Sequence, residues 1–206
     1  MKILSKIRES RWLQIVVGVM VLVAAYWMLR PIEDDWISPF DPNEIAIPDI
    51  YDAYYASKVV AADWHEDAYL TDLSVNIKPY SYFLAYSFSS RENPNLWLNV
   101  YPELKSGGYQ FETSSGELPE GRILVPVELE RIPTTPEDVY LTAYSVAIED
   151  FERLGMQPSG VLISLDQIYG LRWNVSLFQD TKTIRVEIDP DSGEIIEVFK
   201  SEPFEE

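Results

Sequence analysis

Cysteine is absent from this chain of 206 residues, and histidine occurs once, at His65. The first absence excludes disulfides, thiol nucleophiles and thiolate metal sites. The second leaves little room for a histidine-centred metal site or a Ser-His-Asp relay. His65 reads instead as a polar end to a helix. Glycine is scarce, at nine residues, and neither G-x-x-x-x-G-K-[ST] nor G-x-G-x-x-G occurs. No phosphate cradle, and hence no nucleotide cofactor, is expected. Positive charge is also in short supply, with 16 Lys and Arg against 34 Asp and Glu, a net charge of −18. No basic stripe is present to neutralise phosphates, so nucleic acid is excluded as a partner. Among so many acids no pair is singled out for acid–base chemistry, and no catalytic residue is assigned. Asp189, Asp191 and Glu194 lack EF-hand calcium spacing and read as turn residues, so no metal site is assigned either.

What is present is strongly polarised. Residues 12–29 carry no charge, and Gln14 is the one strongly polar side chain among them. A helix of that length spans about 27 Å, close to the hydrocarbon thickness of a bilayer. Residues 1–30 have a net charge of +4 and the remaining 176 a net charge of −22. Basic residues beside a span stay on the cytoplasmic side. The expected topology is a single-pass membrane protein with a cytoplasmic N-terminus and an acidic domain in the periplasm or outside the cell. Tyr26, Trp27 and Arg30 would lie at the outer interface. A signal peptide cut after Ala25 is the rival reading, and both export the same domain.

Residues 31–48 contain four prolines and several acids, and read as an extended spacer. A helix is expected over 50–64, with Asp49 as its cap and Ile50, Tyr54, Ser57, Ala61 and Trp64 on one face. Strand-like runs follow at 73–77, 82–88 and 96–101, with a turn at 91–95, and then Gly107-Gly108 leads into 109–111. Residues 113–134 form a connecting segment, in which 123–129 reads as an edge strand because of Pro126. The Thr135-Pro136-Glu137-Asp138 run starts a second helix, which Gly155 ends. Further strands are expected at 161–165, 171–178, 183–188 and 194–199, with Gly193 in a left-handed turn position.

The two halves align at an offset of 87–89 residues. Leu73-Ser74-Val75 falls over Val161-Leu162-Ile163, and the 98–103 run over 186–191. The fold class expected is therefore α+β: one N-terminal transmembrane helix, then two repeated units, each a helix packed on its own antiparallel sheet. The units would occupy 49–112 and 135–206.

The run Trp173-Asn174-Val175-Ser176-Leu177, then Ile184 to Asp189, then Asp191-Ser192-Gly193-Glu194-Ile195 resembles a PepSY-type domain over residues 136–200, and more widely a cystatin-like fold. The turn around Lys105, Gly107 and Gly108 departs from that family's pattern. The resemblance implies a membrane-anchored, extracytoplasmic binding or regulatory module, of a kind sometimes proposed to restrain peptidases. It implies no activity.

Aromatic residues are the remaining signal. Tyr80, Tyr82 and Tyr86 share one parity on a strand, and with Trp97 they are the candidate partner-binding residues. The functional expectation is a non-catalytic binding or regulatory protein of the cell envelope. Its partners would be the bilayer, through residues 12–29, and an envelope protein or peptide. An accessory structural subunit of a membrane complex, or a carboxylate-dependent hydrolase, is the alternative.

Overall fold

The computed structural model of the chain describes residues 50–78, 81–119, 124–167 and 170–201. The apolar segment 12–29 and the spacer 31–48 lie outside them. Neither helix of the described residues is long and apolar enough to cross a membrane.

The first helix, α1 (Ile50–Trp64), buries Ile50, Ala53, Tyr54, Ser57 and Ala61. Ala53, Ser57 and Ala61 recur at intervals of four, and such small side chains allow a close approach to a sheet. The buried Ser57 hydroxyl donates to the Ala53 carbonyl at 2.8 Å, so no polar group is stranded. The second helix, α2 (Pro136–Arg153), opens with a complete capping box. The Asp138 N–H donates to the Thr135 hydroxyl at 3.2 Å, and the Thr135 N–H donates to the Asp138 carboxylate at 3.0 Å. Leu154 caps its far end. There Gly155 takes φ +66°, so that its N–H reaches the Glu152 carbonyl and the Met156 N–H the Phe151 carbonyl.

Eight strands follow the helices: β1 (Ala68–Lys78), β2 (Ser81–Ser90), β3 (Leu96–Lys105) and β4 (Gly108–Glu117) after α1, then β5 (Gly160–Asp166), β6 (Arg172–Gln179), β7 (Lys182–Ile188) and β8 (Ile195–Lys200) after α2. They do not form two sheets. They form one, in the order β4-β3-β2-β1-β5-β6-β7-β8, antiparallel throughout. This corrects the expectation of two repeated helix-on-sheet units. The seam is the β1–β5 pair, running from Leu73↔Leu165 through Val75↔Ile163 to Ile77↔Val161. All six of those side chains are buried. Two separate sheets would each present an unpaired edge at this point, and pairing removes both edges.

Apart from those of Thr71, Ala85, Ser89 and Glu187, the side chains buried along the strands share one face with this row, and its apolar members belong to the same core as the buried residues of both helices. The helices therefore cover one face of the sheet. The expected edge strand at 123–129 is not a strand. Among its described residues, the Val127 N–H donates to the Leu70 carbonyl at 2.8 Å, and a 3₁₀ turn follows at Leu129–Arg131. Val127, Leu129 and Ile132 bury into the core. The Gln167 side chain clamps this segment, donating to the carbonyls of Thr71 and Val125 and accepting from the Val125 N–H.

The turn between β7 and β8 is built by Asp189. Its carboxylate accepts from the N–H groups of Asp191 (3.0 Å) and Ser192 (2.8 Å) and from the Ser192 hydroxyl. Gly193 takes φ +73°, as its turn position requires.

The α2 cap sets a testable pH dependence. The Thr135 hydroxyl and N–H hold the Asp138 carboxyl below its ordinary value. A depressed folded-state pKa stabilises the fold above about pH 4, and that contribution is lost as pH falls through the folded value. Thr135→Ala should cost about 1 kcal/mol in urea unfolding at neutral pH, and less in acid once the pH has fallen through the depressed folded value of Asp138.

Candidate functional site: the helix-free face of the sheet

With both helices on one face, alternation along each strand decides what the other face presents. The four candidate aromatics divide accordingly. Tyr82 pairs with Ile77, and Tyr86 with Leu73, so both point to the helix side. Tyr86 is fully buried. Its ring lies 6.0 Å from that of Tyr54, and its hydroxyl donates to the Ile50 carbonyl at 2.5 Å. It ties the sheet to the start of α1 and offers nothing to a partner. Tyr54 is enclosed too, and burial, aided by the nearby Glu130 and Tyr55, pushes its hydroxyl up to about 12. Tyr82 lies on the same side at 42% exposure. Trp97 lies on the opposite face, its ring over Gly116. An added Cβ at Gly116 would sit 2.8 Å from that ring. Tyr80 lies outside the described residues. The structure therefore does not bring Tyr82, Tyr86 and Trp97 together.

The helix-free face is laid out in rows that cross the strands. One row runs Phe83, Asn76, Leu162, Ser176, Arg185, Phe199. The next runs Ala85, Ser74, Ser164, Asn174, Glu187, Glu197. A third carries Ser114, Asn99, Ser87 and Asp72. Asp166, beside Leu165 at the seam, has the same parity as Asp72.

Two polar networks stiffen this face. On β2, β3 and β4, the Ser87 hydroxyl donates to Asn99 Oδ1 at 2.8 Å, Asn99 Nδ2 donates to the Tyr101 hydroxyl, and that hydroxyl shares a hydrogen bond with Ser114. The Tyr101 ring leans against Phe83 at 5.2 Å. On β6 and β7, Glu187 is only 4% exposed. Arg172 reaches its carboxylate at 2.5 Å and Arg185 at 3.4 Å. Arg185 also lies over the Phe199 ring at 4.2 Å, and Asn174 donates to Asp166 at 2.9 Å.

Among the described residues, no group of three or more His, Asp or Glu side chains is placed to hold a metal ion. His65 sits just past α1, its N–H on the Ala61 carbonyl and its ring edge-on to Trp64. The residues that sequence reasoning missed are Phe83, Tyr101, Leu162, Asp72 and Asp166. Their signal was parity: Phe83 directly follows Tyr82 in the strand, and so must occupy the other face.

No family model matches the chain, and no curated protein matches it. The PepSY-type resemblance of residues 136–200 is not confirmed by either comparison. A solved structure with a related arrangement is that of a candidate lipoprotein from Clostridium difficile 630. It aligns with a TM-score of 0.49 at 14% identity, over 72% of this chain and 92% of that one. A likeness this distant carries no functional argument.

The two structural anchors can be separated from any binding role. Tyr86→Phe removes a buried hydrogen bond and should cost about 1 kcal/mol in urea unfolding. Arg172→Met leaves the Glu187 carboxylate short of its nearest cation and should cost about 2 kcal/mol, less than a fully buried pair because Arg172 is partly exposed.

Proposed function

We propose that this protein is a membrane-anchored, non-catalytic binding or regulatory module of the cell envelope, with its sheet domain outside the cytoplasm. The observation that carries the reading is the charge and hydropathy asymmetry of the chain. A cationic end and an uncharged 18-residue run precede 176 residues of net charge −22. Positive charge retained in the cytosol sets the orientation. The proline-bearing spacer 31–48 gives the domain reach from the bilayer.

The sheet domain supports a binding role in a different way. Its helices and core occupy one face, while the other offers exposed rings, amides and carboxylates on a rigid scaffold. The charged groups fixed by short hydrogen bonds, Arg172 with Glu187 and Asp189 with Ser192, serve the fold.

Fusions at the C-terminus test the topology. Alkaline phosphatase, which requires export, should be active there, and a fluorescent protein that folds only in the cytosol should be dark. The intact chain should need detergent for extraction. A bright cytosolic fusion with an inactive phosphatase would refute the reading.

A further inference from the structure

The two edges of the sheet, β4 and β8, are built differently. An antiparallel edge strand leaves the N–H and C=O groups of every second residue unpaired, and such an edge invites another strand unless something blunts it. β8 is blunted. It has six residues, its register against β7 shifts between Glu187 and Ile188, and it ends on Lys200, whose ammonium is held 2.6 Å from Asp150 of α2. β4 has ten residues and pairs with β3 without a shift, from Leu96↔Glu117 to Lys105↔Gly108. It contains no Pro, Lys or Arg. Among the described residues no strand lies on its outer side.

We infer that β4 is a self-pairing edge: it takes the β4 strand of a second copy of this chain, antiparallel about a two-fold axis at Thr113, so that the two sheets run on as one. The inference goes beyond the binding-module reading and needs neither the anchor nor its topology. The order of side chains along β4 selects this occupant and this register. Residues directly opposite each other must have the same parity if both helix layers are to lie on one side of the joined sheet. Two-fold pairing then sets one residue opposite its own copy. With Glu112 there, two carboxylates would be opposed, which is unfavourable. With Thr113 there, a favourable Thr–Thr pair forms. Glu112 then faces Ser114, Phe111 faces Ser115, Gln110 faces Gly116 and Tyr109 faces Glu117. Residues 109–117 of each copy are paired and no two carboxylates are opposed. An axis at Phe111 or at Ser114 would pair only 108–114 or 111–117. The Trp97 ring, lying over Gly116 on the helix-free face, stands where Gln110 of the second copy arrives, so ring contact adds to the backbone hydrogen bonds. A single strand pair is a small interface, and the dimer is accordingly weak. Both copies are acidic, so pairing tightens as salt screens their repulsion. A basic strand from another protein would show the opposite dependence.

The chain has no cysteine, so one introduced thiol reports the pairing. In the full chain, in an excess of detergent micelles, Thr113→Cys sets two thiols face to face across the axis at a Cα separation of about 4.5–5.5 Å, within disulfide reach. Under copper-phenanthroline oxidation it should form the linked dimer about tenfold faster than Glu197→Cys on β8. That ratio should rise between about 0.05 and about 0.5 M salt. Dyes attached at Ser106→Cys, in the exposed β3–β4 turn, give a second readout by energy transfer between chains. Thr113→Glu alone, or Thr113→Lys alone, should lower transfer about threefold, because like charges meet on the axis, and an equal mixture of the two should restore it. Thr113 is exposed, so near-ultraviolet circular dichroism should stay native throughout. Cross-linking of Thr113→Cys no faster than that of Glu197→Cys would overturn the inference. So would a ratio that falls with salt, or a mixture that transfers no better than either variant alone. Neither readout depends on which side of a membrane the domain occupies, so this inference and the proposed function fail separately.

Discussion

The antiparallel pairing of β1 with β5 is the contact on which the rest of the structure depends. It joins strands from opposite halves of the chain through Leu73, Val75 and Ile77 facing Leu165, Ile163 and Val161. Both strands are apolar on one face, and each already has a partner on its other side. Left apart, they would expose two rows of backbone donors and acceptors. Joined, they place both helices over a single core and leave β4 and β8 as the edges of an eight-stranded sheet.

That joint also sets the path of the segment between the halves. Beyond Leu73 the seam ends, and Leu70 accepts from Val127 instead. Gln167 secures the same place, linking the end of β5 to Thr71 and Val125. Val127 and Leu129 close the core where strand pairing stops. The irregular backbone there is thus hydrogen-bonded as fully as its position demands.

Much of the local structure was legible in the sequence. The α2 start was written in Thr135, Pro136 and Asp138, and its end in Gly155, because capping is chemistry between neighbours in the chain. The turn at Asp189 to Gly193 was legible for the same reason. Most strands were found within a few residues because alternation is a local signal, but β4 continues to Glu117 into the segment read as a connection, where its Thr, Ser and Gly residues carry no apolar alternation. The reading failed where non-local pairing decides. The similarity of the two halves suggested separate units, yet nothing in either half says whether its first strand pairs with the other half. The candidate site failed similarly. Tyr82 and Tyr86 were correctly given one face, but parity does not say which face the helices cover. Here the tyrosine face is the covered one.

What the sequence determined by itself was the distribution of charge and oil along the chain, the order of the two helices and the strands around them over the described residues, and the chemistry of their caps and turns. Each depends on residues close together in the chain, so composition and spacing suffice. Only the tertiary structure decided that the strands form one sheet, that Tyr86 holds the core, and that Phe83, Leu162, Asp72 and Asp166 share an open surface. Those outcomes turn on which of two equivalent faces meets the helices, a choice made by burying the larger total apolar area.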